Sequence, residues 1–348
     1  MISKRRRIFN DDHAAFRDSV KRFIATEVAP NLDAWRGADE TPRSVVAAGG
    51  DAGFLGTVVP EEFGGGGADD FAFLAVLIEE TVAAGATGLA LLWALQGGVT
   101  IPFLLEHAAA ADQRQWLPGL STGQLIAVPA PATLSGVAAA RIADALLVQS
   151  DRGDVALVPL DQPGVTITPI DESLAGRDAG LADVTLGGVH THTDVGPPMA
   201  LHRDLDLWFA VLALASARAA MTLAVDYVHA RKVFGQPLAG FENTRFRLAE
   251  LWAELASLTV FVDSCVEARG AGELDATHAA AARLTATLVC GSAVDQSLQL
   301  HGGYGYMREY PISHAFADAR FLQVQASAYS NPRETLTSTV ALDAVALQ

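Results

Sequence analysis

Several groups of residues in this sequence have types and spacings that suit chemistry. In "RKVFGQPLAGF", Arg231 stands three residues before Phe234-Gly235. An arginine in a Gly/Pro loop is a permanently charged, planar donor for oxyanions. Further on, "LQLHGGYGYMREYP" puts Gln299 three residues before Gly302-Gly303. There the missing side chains let backbone approach a ligand closely. His301, beside those glycines, either touches such a ligand or caps a helix end. His190 and His192, two apart, would share one face of a strand. With no carboxylate or cysteine at useful spacing they read as surface histidines, and no metal site is expected. The glycines of "EEFGGGG" lack the strand-to-helix context of a phosphate loop and read as a flexible turn. Finally, Gln325-Ala326-Ser327-Ala328 contains nothing that can take a proton.

The elements that carry these residues follow from periodicity. Residues 1–120 read as all-helical. Phe16, Val20, Phe23 and Ile24 fall on one helical face with Pro30 as a stop. A second apolar helix spans "FAFLAVLIEETVAAG", and Gly97-Gly98 reads as a turn before a further helix. Residues 121–200 change to β-branched runs. These are broken at Arg152-Gly153-Asp154 and Gln162-Pro163-Gly164, the pattern of strands joined by turns. Residues 201–348 return to long helices. One begins at "DLDLWF", where Asp204 and Asp206 enrich the first turn in negative charge, which the helix dipole favours. In the next, Leu248, Leu251, Leu255, Leu258, Val262 and Cys265 recur every three or four residues, as in a bundle. The expected fold is mainly α with a small middle β domain.

Composition narrows the function classes. A net charge of −16 argues against nucleic acid or anionic membrane as partner. No apolar run is expected to reach the roughly 18 residues of a membrane span, and "TGLALLWALQGG" reads as a short buried helix. Two distant cysteines make no disulfide framework, so a cytoplasmic location is the expectation.

The stretches "YVHARKVFGQPLAGFENTRFRLAEL" and "LQLHGGYGYMREYPISHAFADARFLQV" resemble the acyl-CoA dehydrogenase family, and "VPEEFGGGGADD" followed by "IEE" is similar to its N-terminal domain. The resemblance implies an N-terminal helical domain, a middle β domain and a C-terminal four-helix bundle. It also implies FAD, an acyl-CoA thioester substrate, an electron-transfer acceptor and oligomers built through the bundle. Carried over residue by residue, it assigns Arg231, Phe234, Leu238, Gln299, Gly302 and Gly303 to the ADP part of FAD held mainly by a neighbouring subunit.

The chain departs from this family in four places. Ala326 stands where the catalytic glutamate normally lies. Leu205 stands where other members carry that base, with Asp206 at a common arginine position. "LIAVPAPATLSGVAAARIADALLV" compresses the region that holds the flavin ring and thioester. Glu242 replaces a usual glutamine, a carboxylate that pyrophosphate would repel unless it points away. No catalytic residue is therefore assigned. The expectation is a subunit without its own base in a heteromeric (α2β2) acyl-CoA dehydrogenase, completing the FAD site of a homologous catalytic partner. The acyl substrate, such as a bulky steroid side chain, would lie mainly on that partner. The alternatives are a homo-oligomeric flavin enzyme of altered chemistry (a monooxygenase, or a dehydrogenase using Asp206) and a scaffold paralogue without FAD.

Overall fold

The computed structural model describes residues 6–149, 153–188 and 192–343. The N-terminal helices are α1 (Asp11–Phe23), α2 (Leu32–Ala38), α3 (Arg43–Asp51), α4 (Ala72–Ala83), α5 (Thr87–Trp93), α6 (Ile101–His107) and α7 (Ala110–Ser121). Helix α1 starts at a capping box. The Asn10 side chain accepts from the N–H of Asp12 and of His13, and the Asn10 N–H donates back to His13 Nδ1 at 3.2 Å. Its expected apolar face forms: Val20 and Ile24 are buried, while Phe16 and Phe23 each meet the Phe54 ring edge-on at 5.3 Å. The helix then runs on as a π-helical stretch, Ile24–Val28, and ends just before Pro30.

The turn expected at Gly97-Gly98 does not exist. Residues Ala94–Thr100 form a π-helical stretch that joins α5 to α6, making one 21-residue helix, Thr87–His107. The glycines serve close packing instead. A Cβ on Gly98 would lie 2.4 Å from Trp208 Nε1, and one on Gly97 would lie 3.3 Å from Leu74. The expectation that no apolar run reaches spanning length also fails. Both Thr87–His107 and Pro198–Ala230 are long and apolar enough to cross a membrane by length and composition. Each is largely buried inside the protein, 94% and 72% of the relevant window, as core helices are.

The middle segment holds β1 (Ala127–Pro129), β2 (Ala145–Gln149), β3 (Val155–Pro159), β4 (Val165–Pro169), β5 (Ala182–Leu186) and β6 (Thr193–Gly196). A four-stranded sheet runs in the order β1-β2-β3-β6, with β1 parallel to β2 and the other pairs antiparallel. Strands β4 and β5 form a separate antiparallel pair. Along β5, Ala182 and Val184 point inward while Asp183 and Thr185 are exposed, the period of two that places one face on a core. The turn residue Gly153 has φ +92° and Gly164 φ +93°; Arg152 lies outside the described residues.

The C-terminal helices are α8 (Pro198–Ala230), α9 (Glu242–Gly270), α10 (Ala276–Leu300), α11 (Pro311–Tyr329) and α12 (Pro332–Asp343). Between α8 and α9 lies the two-residue ladder of β7 (Lys232–Val233) and β8 (Gln236–Pro237). Leu251, Leu255, Leu258, Val262 and Cys265 of α9 are buried in the bundle, and Leu248 is half-buried. Burying such a side chain contributes about 1.5–3 kcal/mol each, and the heptad-like spacing repeats that gain every turn.

Candidate functional site

Two chain segments that are 68 residues apart in sequence, at Arg231 and Gln299, meet at the C-terminal ends of α8 and α10. The Tyr227 ring of α8 stacks on His301 at 4.1 Å, and its hydroxyl donates to the His301 carbonyl at 3.2 Å. His301 Nδ1 pairs with the Ser297 carbonyl at 2.8 Å, and burial holds the imidazole below its ordinary pKa. His301 thus closes the helix end, one of the two roles its position suggested. Across this joint the Arg231 guanidinium lies over the Tyr304 ring, 5.2 Å from its centroid. The Leu238 N–H returns to the Arg231 carbonyl at 2.8 Å and closes the loop.

What this joint presents outward is open. Phe234 and Gly235 both have positive φ, +51° and +82°, the geometry of a tight hairpin turn between β7 and β8. A phenylalanine there is strained, yet its ring is 93% exposed. Gly302 has φ +57°, and a Cβ added to Gly302 or to Gly303 would meet no atom within 4 Å. Gln299 is exposed at the end of α10, and Tyr306 is 88% exposed nearby in sequence. Glu242 is exposed in the first turn of α9, where a carboxylate suits the helix dipole. Arg231, Gln299, Gly302 and Gly303 therefore lie at one joint, with a guanidinium that makes no ion pair among the described residues and two bare glycine backbones, and Phe234 is exposed on the hairpin that follows Arg231. Leu238, the sixth residue assigned from sequence, braces the loop.

The opposite end of α8 is closed by a buried polar knot. Asp206 Oδ1 accepts from Arg283 Nη1 at 2.6 Å and from Ser330 Oγ at 3.1 Å. Arg283 also donates to the Ser330 carbonyl at 2.9 Å and to the Ala326 carbonyl. Asp206, Arg283 and Ala326 are all under 5% exposed. Asp204 is committed as well: Arg203 and Arg269 donate to it at 2.9 and 2.8 Å. Helix α8 begins at Pro198, so these aspartates lie beyond its first turn, and ion pairing rather than the helix dipole accounts for them. Leu205 is buried between them. On α11, Gln325 Nε2 donates to the Gly136 carbonyl at 3.0 Å, and the Tyr329 hydroxyl donates to Pro129 at 3.0 Å. These bonds fasten the end of α11 directly to the middle segment. A cleft of about 300 Å³ beside Ala326 and Ser327 is lined by no carboxylate.

Comparison with known proteins gives this geometry its frame. Residues 10–124 match the acyl-CoA dehydrogenase N-terminal domain, and residues 207–326 match the acyl-CoA dehydrogenase C-terminal domain. The two matches together span more than half of the chain. The chain belongs to the acyl-CoA dehydrogenase family. It is 26% identical to a long-chain specific acyl-CoA dehydrogenase of Rattus norvegicus, over 97% of this chain and 88% of that one. The 385 aligned positions exceed the 348 residues here, so at least 37 of them have no counterpart in this chain. A glutaryl-CoA dehydrogenase of Mycobacterium smegmatis in complex with FADH2 shares the fold at TM-score 0.85 and 19% identity, covering 97% and 95% of the two chains. The steroid acyl-CoA dehydrogenase variant Tcur3481-Tcur3483 does so at TM-score 0.82 and 24% identity, covering 96% and 99%.

The remaining described candidates do not join either end of α8. His192 is exposed just before β6, 3.8 Å from Asp194, and His190 lies outside the described residues. Among the described residues no group of three His, Cys, Asp or Glu is placed to hold a metal. Cys265 and Cys290 are buried, and burial pushes their thiols up to about 11 and about 12, so they stay protonated and inert. Sequence reasoning missed Arg283. The available signal was a single arginine inside "HAAAARLTATLVC", a cation alone in an apolar helix face that must find a buried acid.

Proposed function

We propose that this chain is the subunit without a catalytic base of a heteromeric, FAD-dependent acyl-CoA dehydrogenase. The observation that carries this reading is the knot beneath Ala326. Asp206, the carboxylate tied to that position among the described residues, is engaged by Arg283 and Ser330, which supports its being a structural ion-pair partner rather than a base for an α-proton. α,β-Desaturation of a thioester needs that base, together with a flavin to accept the β-hydride.

The residues at the other end of α8 fit the ADP half of FAD. Arg231 makes no ion pair among the described residues and can meet pyrophosphate, and Gly302 and Gly303 leave room for it. Phe234 offers an apolar face. When bound, FAD supplies the hydride acceptor; this chain's part is to hold the ADP end of a cofactor whose flavin ring lies in a homologous catalytic subunit. The small middle sheet and the shortfall against the rat relative support the same division. So does the likeness to a steroid acyl-CoA dehydrogenase whose name pairs two products. A bulky acyl-CoA such as a steroid side chain, held mainly by the partner, fits this reading. An electron-transfer acceptor and a cytoplasmic setting belong to it as well.

The test is expression of this chain alone and together with a related chain that carries the glutamate. The pair should bind FAD and oxidise acyl-CoA, and the single chain should do neither. Arg231→Ala should lower the FAD content of the pair at least tenfold, read as flavin absorbance per protein after gel filtration. A single chain that is yellow and active would overturn the proposal, and so would an Arg231→Ala pair with full FAD content.

A further inference from the structure

A further cavity lies away from both ends of α8. It holds about 670 Å³ along the middle of that helix, where α4, α8 and α11 meet. The space exists because short side chains face it: Ala83 of α4, Ala215 and Ala219 one turn apart on α8, and Ala315 of α11. Elsewhere α8 fills its buried face with Trp208, Phe209 and Leu212. Into this alanine-walled space comes Arg218. It donates no hydrogen bond to protein among the described residues, and its Nη1 is buried without an acceptor. Its one ion-pair contact, to Glu79 Oε1, is long at 3.9 Å, while about a quarter of its side chain stays exposed. A half-buried guanidinium without an acceptor is costly, and burial lowers its proton affinity.

Three of the five acids that line the cavity, Glu79, Glu80 and Asp318, are engaged elsewhere. Glu79 is held by Arg6 and Arg17, and Glu80 by Arg17. Asp318 accepts from the Gly176 N–H at 3.0 Å and from Thr87 Oγ1 at 3.2 Å. Asp33 and Glu309 are exposed. Arg308, also lining the space, has no side-chain partner among the described residues. A cavity of this size with an apolar wall and a few convergent donors is what a small-molecule site looks like.

We propose that this cavity binds a small monocarboxylate with a short aliphatic body. The carboxylate takes the free edge of Arg218, assisted by Arg308, and the aliphatic body packs on the alanines. None of the six residues assigned to FAD lines this cavity.

Isothermal titration of the full chain with hexanoate at pH 7 tests it. Saturable binding with a Kd of about 1 mM or below is expected. Arg218→Gln should weaken it about tenfold or more. Ala219→Leu, which fills the wall, should abolish it, and hexan-1-ol should not compete. Circular dichroism checks that each variant is folded. Absence of saturable binding overturns the proposal, as does equal affinity for hexan-1-ol or unchanged affinity in Arg218→Gln. Should loss of Arg218 unfold the chain, undiminished hexanoate binding by Ala219→Leu overturns it alone.

Discussion

At the scale of the residue, the decisive feature is the way Arg283 is satisfied. Its guanidinium reaches Asp206, the hydroxyl and carbonyl of Ser330 and the carbonyl of Ala326, so three helices, α8, α10 and α11, share one cation. Removing one partner of a buried pair leaves the other charge uncompensated, at about 3–5 kcal/mol. Arg283→Met is therefore expected to lower unfolding stability by about 3–5 kcal/mol. The double variant Asp206→Leu/Arg283→Met should regain most of that loss, because an apolar pair needs no compensation. Urea unfolding of the three proteins checks both statements. If the single and double variants were equally unstable, the pairing would not be what Asp206 is for. Ala326, by contrast, is the position where the resemblance in the sequence alone places a base and finds an alanine. The knot beside it was not legible, since Asp206, Arg283 and Ser330 are far apart in the chain.

At the scale of the element, two short stretches show packing overriding local preference. Gly97-Gly98 reads as a turn because glycine weakens helices by about 1 kcal/mol relative to alanine. The helix continues because Trp208 needs the space over Gly98. Gly98→Ala should thus lower the melting temperature despite alanine's better propensity, since overpacking costs about 1–3 kcal/mol. A rise in melting temperature would show that the indole yields freely. The β7–β8 hairpin makes the complementary case. Phe234 sits at φ +51° and is largely exposed, so no packing among the described residues repays its strain. Phe234→Asn should stabilise the isolated chain by about 1 kcal/mol, measured by urea unfolding. In the pair, the same variant should lower FAD content if Phe234 packs on the cofactor. Full FAD retention would count against that role.

At the scale of the whole molecule, the three parts of the chain are locked together by a buried acid pair. Asp178 of the middle segment accepts from the Leu89 N–H at the start of α5, at 3.1 Å. Asp318 of α11 binds Gly176 and Thr87. Burial first, and then the neighbouring Asp318, pushes Asp178 up to about 6, and burial raises Asp318 as well. A folded-state pKa above the unfolded value means that the protonated form is favoured by folding. The associated stability is full below about pH 4 and is lost as pH rises through about 6. Asp178→Asn keeps an acceptor for Leu89 without the charge. It should be more stable than the parent at pH 7.5, with the advantage shrinking toward pH 4.5. Melting curves at the two values check this, and an advantage that does not depend on pH would refute the assignment.

The element types, the helix–strand–helix order and the family were all written in the sequence. They rest on periodicity, glycine and proline placement, and short motifs, all of which are local. The convergence of Arg231 with the Gln299–Gly303 turn was foreshadowed by the resemblance, but its mechanics, Tyr227 on His301 and Arg231 over Tyr304, came only with the fold. The fate of Asp204 and Asp206, the unbroken helix through Gly97-Gly98 and the alanine-walled cavity around Arg218 were decided by tertiary structure alone. Each depends on which distant side chain arrives at a given point: a guanidinium beside a carboxylate, an indole over a glycine, or, at the cavity, no bulky group at all. Spacing along the chain carries no record of such meetings, because they are set by how whole helices pack.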